Sequence, residues 1–126
     1  ALLGLSGEAY AAVAARATTR PASGYRFPAF SAHMQDYEPS ADHLANMMTA
    51  TQLMLMQSGD DGYANTTIVL FPAWPCANDV SFKLTGPVNT TVEATLSGGV
   101  VTSLVVTPPQ RATSVVLANC GPAPAV

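Results

Sequence analysis

Charged side chains are scarce in this sequence of 126 residues. Asp, Glu, Lys and Arg make up 10% of the chain, whereas hydrophobic residues make up 48%. Soluble domains usually carry more charge than this, so we expect part of the surface to be covered by a partner, by further chain or by glycan. The net charge of -3 gives no electrostatic support for binding nucleic acid or an acidic membrane.

Several further patterns are absent. No apolar run reaches the roughly 18–20 residues that a membrane span needs, so no membrane span is expected. His33 and His43 are far apart, and no Cys/His spacing matches a zinc site. A Gly-rich phosphate loop and a nucleophile elbow are also missing. We therefore expect neither a metal nor another cofactor.

Only two cysteines are present, Cys76 and Cys120, which allows either two buried thiols or one disulfide. The tripeptides that begin at Asn65 and Asn89 both match the N-glycosylation pattern N-x-[ST]. Sequons together with paired cysteines favour an oxidising secretory route and an extracellular protein. We therefore predict a Cys76–Cys120 disulfide and N-linked glycans at Asn65 and Asn89.

The first half of the chain has the composition of two helices. An Ala-rich stretch over residues 8–18 favours a helix, which Pro21 ends. A loop over residues 20–39, rich in Pro and aromatic residues, follows. A second helix is predicted over residues 42–57, and its apolar side chains face all sides, as in helices enclosed by other helices. One other helix cannot enclose it, so the pattern indicates part of a larger assembly.

From about residue 60 the pattern changes to short strands. Apolar runs and alternating apolar and polar residues predict strands over residues 68–71, 80–85, 91–96, 100–107 and 113–118. The Gly98–Gly99 pair predicts an antiparallel hairpin.

Two helices followed by strands predict an α+β fold. We expect a helical segment over residues 1–60, then a small antiparallel β-sheet or half-sandwich over residues 61–120. A flexible tail is expected over residues 121–126.

Asp42 and His43 are the candidate functional residues because they open the second predicted helix. An Asp at a helix start accepts backbone N–H bonds and interacts with the positive end of the helix dipole. Ser40 would serve equally well as a cap, and His43 fits a packed histidine at a helix end. The local sequence favours capping, but a carboxylate at the open end of a helix bundle also suits a general base.

Several motifs resemble one enzyme family. GYRFPAF and DHLANMMTATQLMLMQS are followed by LFPAWP and by the strand sequences DVSFKL and TTVEATLSGGVVTSL. Together they resemble the C-terminal part of glycoside hydrolase family 95, which comprises (α/α)6-barrel enzymes that act on α-L-fucosides and related α-L-galactosides. The resemblance extends over nearly the whole chain, to Val116. It implies that the second helix is the last helix of the barrel and that the strands form the β-domain.

The resemblance also implies roles for individual residues. Asp42 would help to activate water in an inverting mechanism, opposite a Glu acid and assisted by Asn residues elsewhere in the barrel, and His43 would line the sugar site. The chain departs from the family after Asp42, where HLAN replaces a Gly-Asn-Phe-Gly-like stretch. The acid Glu and most of the barrel lie upstream in the family and outside this chain. Because the base needs an acid across the scissile bond, we expect no catalysis by the isolated chain.

Two functions follow from these observations. The first is the C-terminal segment of a secreted glycoside hydrolase that acts on α-L-fucoside-like glycans, with the rest of the hydrolase chain as its partner. The alternative is a non-catalytic extracellular glycoprotein subunit, either structural (a filament, for example) or carbohydrate-associated, that contacts neighbouring copies of itself. A third interpretation is an orphan α+β domain whose relation to the hydrolases is only ancestral.

Overall fold

The structure, a computed structural model, describes residues 5–18, 41–59 and 66–121. Two helices come first and the strands follow, so the predicted α+β class is confirmed. Strand pairing begins at Met56. The predicted boundary between the helical and β segments, at residue 60, lies outside the described residues and stays a prediction. The predicted loop over residues 20–39, the acceptor Asn65 and residues 122–126 of the tail lie outside the described residues.

The helices are α1, Ser6–Thr18, and α2, Ala41–Leu55. Helix α1 ends with the Thr18 hydroxyl donating to the carbonyl of Ala14 at 2.7 Å. Helix α2 ends two residues before the predicted limit of residue 57. Met56 to Ser58 pair with a neighbouring strand instead, because pairing satisfies their backbone groups as well as a helix does.

The described residues form six strands and one 3-10 helix. In chain order these are β1 Met56–Ser58, β2 Ile68–Leu70, β3 Val80–Gly86, β4 Thr90–Ser97, β5 Val100–Thr107, the 3-10 helix Pro109–Ser114 and β6 Val115–Leu117. One sheet has the order β1-β2-β6, in which β2 is antiparallel to β1 and parallel to β6. The other sheet is the antiparallel meander β3-β4-β5, which includes the predicted hairpin at Gly98.

The meander has one apolar face and one polar face, as strand alternation requires. Phe82, Ala94 and Leu104 are aligned across its three strands on the inner face. Inner side chains of both sheets meet in one buried cluster, whose members are Leu55, Ile68, Leu70, Phe71, Val92, Ala94, Leu96, Val101 and Cys120. The two sheets therefore share a core, and the last residue of α2 reaches into it.

A loop over residues 71–76, here called the junction loop, ties α2 to the sheets. The Phe71 N–H donates to the carbonyl of Leu55 at 2.7 Å, and the Ala73 N–H donates to that of Met54 at 3.2 Å. The Asn119 amide donates to the carbonyls of Pro72 at 2.8 Å and Phe71 at 3.3 Å. The end of the helix and the end of β6 are thereby held on the same loop.

The β part has two opposite ends. At one end, here called the disulfide end, lie Cys76, Cys120 and the hairpin turn at Gly99, whose carbonyl accepts from the N–H of Gly121 at 3.2 Å. At the other, the arginine end, Arg111 donates to the Thr90 hydroxyl at 3.0 Å and to the Thr66 carbonyl at 2.8 Å. The junction loop belongs to the disulfide end, since it follows β2 directly and carries Cys76.

The predicted Cys76–Cys120 disulfide is confirmed. The two Cα atoms are 5.4 Å apart and 44 residues apart in sequence. Cys120 is buried, and the bridge joins the junction loop to the segment after β6. In the chain-entropy model a closed loop of this length stabilises a fold by about 4 kcal/mol.

Replacing both cysteines, as Cys76→Ala with Cys120→Ala, is expected to lower the free energy of unfolding by about 4 kcal/mol, because the unfolded chain regains its loop entropy. Chemical denaturation of the native protein measures this value. The unsubstituted protein under a strong thiol reductant is the control and should show a similar loss. A loss below about 1 kcal/mol would contradict the entropic account.

Asp79 fixes the turn between β4 and β5. Its carboxylate accepts from the backbone N–H of Gly98 at 2.9 Å and from the Ser97 hydroxyl at 2.8 Å. Gly98 and Gly99 both have positive φ, 58° and 82°, which glycine adopts without steric cost. The backbone bond from Gly98, followed by the bond from Ser97, lowers the pKa of Asp79 below its ordinary value of 3.8.

This shift predicts a pH dependence of stability. Because the folded-state pKa of Asp79 is lowered, its contribution is fully present above the ordinary value of 3.8 and is lost as the pH falls through the lower folded value. Asp79→Asn should therefore lower the melting temperature slightly at neutral pH, and the difference should vanish in strong acid. Melting curves of both proteins across this range test it. A difference that stays constant with pH would contradict the assignment.

Candidate functional site

The predicted functional residues lie at the start of α2. Asp42 and His43 are the second and third residues of this helix, and their side chains lie outside the described set. Leu55, at the other end, enters the core of the β part. With a rise of 1.5 Å per residue, Asp42 lies about 20 Å along the helix axis from Leu55. The start of α2 is therefore far from the point at which this helix enters the core.

A groove of about 340 Å³ runs between α1 and α2. Its lining is mostly small or apolar: Ala9, Ala12, Val13, Asn46, Met47, Ala50 and Met54. Alanines lining a groove let another element approach the helix backbones closely. Met48 and Leu5, with exposed fractions of 54% and 51%, add further apolar surface to this pair of helices.

Asn46 is a polar exception in this groove that the sequence interpretation did not single out. It lies four residues after Asp42, the spacing that brings two helix positions onto the same face. Its side chain is exposed, and it makes no hydrogen bond within the described part of the chain. Its spacing from Asp42 was the only signal available in the sequence.

The helices are held against the β part by an aromatic contact as well as by the chain itself. Tyr10 of α1 meets Trp74 of the junction loop edge-to-face, with ring centroids 5.5 Å apart. The Trp74 indole N–H donates to the carbonyl of Asn78 at 2.9 Å, which fixes the ring. Such aromatic pairs contribute about 0.5–1.5 kcal/mol beyond their buried area. The groove thus has a defined orientation relative to the sheets.

A second depression, of about 360 Å³, lies on the outer face of the meander. The Lys83 ammonium and the Glu93 carboxylate form an ion pair there at 2.8 Å, between Ser81 and Ser103. Both charged side chains are well exposed, so the pair contributes about 0.2–1 kcal/mol at most. Val105, paired with Glu93, is an exposed apolar residue on this face. Most of the other residues that surround the ion pair bear hydroxyls: Ser81, Thr85, Thr91, Thr95, Ser103 and Thr107.

Other kinds of site find no support among residues 5–18, 41–59 and 66–121. Within these ranges no three His, Cys, Asp or Glu side chains are grouped as metal ligands. Neither described helix has the length and apolar content required to cross a membrane.

Comparison with known proteins adds no relative: no protein-family model, curated protein or solved structure matches this chain. The resemblance to the glycoside hydrolases therefore rests on the motifs of the sequence.

Asn46→Ala is expected to raise the free energy of unfolding of the native protein by about 0.5 kcal/mol, because Ala is the better helix former and no described hydrogen bond is lost. Thermal unfolding measures the gain. Thr49→Ala, at an exposed position of α2 outside the groove lining, is the matched control and should give a similar gain. A loss of stability specific to Asn46→Ala would mean that the residue is structural.

Proposed function

We propose that this chain is the C-terminal segment of a secreted glycoside hydrolase that acts on α-L-fucoside-like glycans, and that it does not catalyse the reaction alone. The observation that carries the proposal is the groove between α1 and α2. Two helices with small groove-lining side chains and exposed apolar ones fit a layer that further helices cover. A barrel of paired helices supplies such a cover.

The connection between α2 and the sheets supports the same proposal. In the family that the sequence resembles, the last barrel helix leads into a β-domain, and here α2 continues into β1 without an intervening loop. The junction loop and the Tyr10–Trp74 contact attach both helices to the sheets. The start of α2, with Asp42 and His43, is then about 20 Å along the helix axis from the core of the β part.

The chemistry of the proposed reaction requires a second carboxyl group. An inverting glycosidase uses a general base that activates water and a general acid about 6.5–9.5 Å away that protonates the leaving oxygen. Asp42 is the proposed base, and His43 lines the sugar site. The acid Glu is supplied by the rest of the hydrolase, so the isolated chain holds one half of the catalytic pair.

A non-catalytic extracellular glycoprotein subunit is the second candidate. The disulfide supports an oxidising compartment, and the hydroxyl-rich outer face of the meander suits a solvated or carbohydrate-associated surface. In this case neighbouring copies of the chain would cover the helices, as in a repeating assembly. The two candidates differ in the mass of the native protein and in its activity.

The test begins with the intact mass of native material and continues with Asp42→Asn in the full native protein. Loss of the base should lower kcat on α-L-fucosides roughly 10²–10⁴-fold. Asn is as good as Asp at a helix start, so the melting temperature should stay the same. Asp79→Asn, in the distant turn of the meander, controls for removal of a carboxylate and should leave kcat unchanged.

One result would overturn the hydrolase proposal, and another would overturn only the role of Asp42. One is a native chain of 126 residues without a partner and without activity, which would favour the subunit. The other is full fucosidase activity in Asp42→Asn, which would reject Asp42 as the base while keeping the enzyme.

A further inference from the structure

The fold brings the middle residues of both sequons to one side chain. Thr66 follows Asn65 and Thr90 follows Asn89, and Arg111 donates to the carbonyl of Thr66 and to the hydroxyl of Thr90. A third donation, to the Ser114 hydroxyl at 3.0 Å, holds the guanidinium in place. Thr66 and Thr90, which are 24 positions apart in the sequence, thus meet at the arginine end.

Asn89 occupies the tip of the hairpin at this end. Val88 and Asn89 have φ of 57° and 48°, the positive values at both central positions of a type I′ turn. The Thr90 N–H closes the turn onto the carbonyl of Pro87 at 3.3 Å. Asn tolerates this left-handed conformation better than most residues, so the backbone at the acceptor position is set by the fold.

The side chains of the second sequon are disposed as an acceptor requires. Asn89 is exposed and makes no hydrogen bond within the described ranges, so its amide nitrogen is accessible. Thr90 is fully buried under Arg111. Thr91 lies on the outer face of the meander, opposite Thr85. Asn89 is thus exposed and Thr91 is half-buried on the outer face, while the residue between them is fixed.

We infer that Asn89 carries an N-linked glycan and that the arginine end is the glycan-bearing end of the domain. The co-substrate is an oligosaccharide linked to a polyprenyl diphosphate. The Asn89 amide nitrogen forms a bond to C1 of the first sugar, the C1–O bond to the diphosphate breaks, and the amide loses one proton. The inference rests on the secretory route in the proposed function, because the donor is found on that route.

The position of this end gives the glycan a defined direction. Strands of both sheets separate the turn at Asn89 from the disulfide end, where α2 and the junction loop attach. A bulky polar glycan at Asn89 would therefore shield the far end of the sheets and leave the helix groove uncovered for its partner helices. The glycan also supplies the hydration that so few charged residues provide.

The test uses the full native protein, directed into the secretory pathway of a eukaryotic host by an added leader, with glycopeptide mass spectrometry on the purified product. We expect a glycan on Asn89 in the unsubstituted protein and in Thr91→Ser, which keeps the sequon. Thr91→Ala should lose the glycan at this position alone. Both substitutions leave the turn residues Pro87 to Thr90 unchanged, so the two variants and the unsubstituted protein should fold comparably.

The oxidation state of the cysteines distinguishes failure of the glycan inference from failure of the proposed secretory route. A secreted product with an intact Cys76–Cys120 bridge and unmodified Asn89 would overturn the inference. The same measurements on native material, without the added leader, test the route: reduced cysteines and a bare Asn89 there would overturn the proposed secretion and, with it, the native modification. A glycan on Asn89 in native material supports both.

Discussion

The hydrogen bond from the Phe71 N–H to the Leu55 carbonyl is the contact on which the architecture depends. It lies where the helical part of the chain becomes the β part, and it is short, at 2.7 Å. Phe71 makes it with a φ of 56°, a left-handed value that costs a non-glycine residue on the order of 1–3 kcal/mol. The fully buried Phe71 ring, packed edge-to-face on Phe82 at 5.7 Å, offsets this cost.

The surroundings of Phe71 explain why this conformation is retained. The Asn119 amide binds the carbonyls of Phe71 and Pro72, and the adjacent Cys120 is bonded to Cys76 at the other end of the same loop. The end of α2, Phe82 of β3 and residues 119–120 therefore all fix this one loop. Because that loop also carries Trp74 against Tyr10, the orientation of the helices depends on the same set of contacts.

The sequence predicted the meander better than the other sheet. Residues 100–107 were predicted as a strand and β5 is Val100–Thr107, because alternation and a Gly-Gly turn are local signals. Strand β1 was predicted as helix, since an apolar MLMQ run fits a buried helix equally well. Its pairing with Leu70 and Val69, a contact made only in the folded chain, makes this segment a strand. The parallel pairing of β2 with β6 joins distant segments and has no local signature.

For the candidate sites too, the sequence shows motifs of adjacent residues but not contacts between distant ones. The sequons and the Asp42–His43 pair could be read from adjacent letters. Their convergence could not: Arg111 lies 21 residues beyond Thr90 and 45 beyond Thr66, and nothing in its own neighbourhood marks it as the residue that joins the two tripeptides. Asn46 was overlooked because an isolated Asn in an apolar helix is usually only a weak helix former.

The few charged residues affect the surfaces of the β part and of the helices differently. On the outer face of the meander, rows of Ser and Thr hydroxyls around a single Lys83–Glu93 pair give a surface that water solvates without many charges. On the helices, exposed polar residues such as Thr49 and Gln52 are not part of the groove lining, which apart from Asn46 consists of alanine, valine and methionine. The groove is the continuous apolar surface at which we propose a covering partner, while the β part exposes single valines such as Val105 and Val116. Since Asp42 is on that same helix, the proposed hydrolase would have its acid on or near the element that covers the groove.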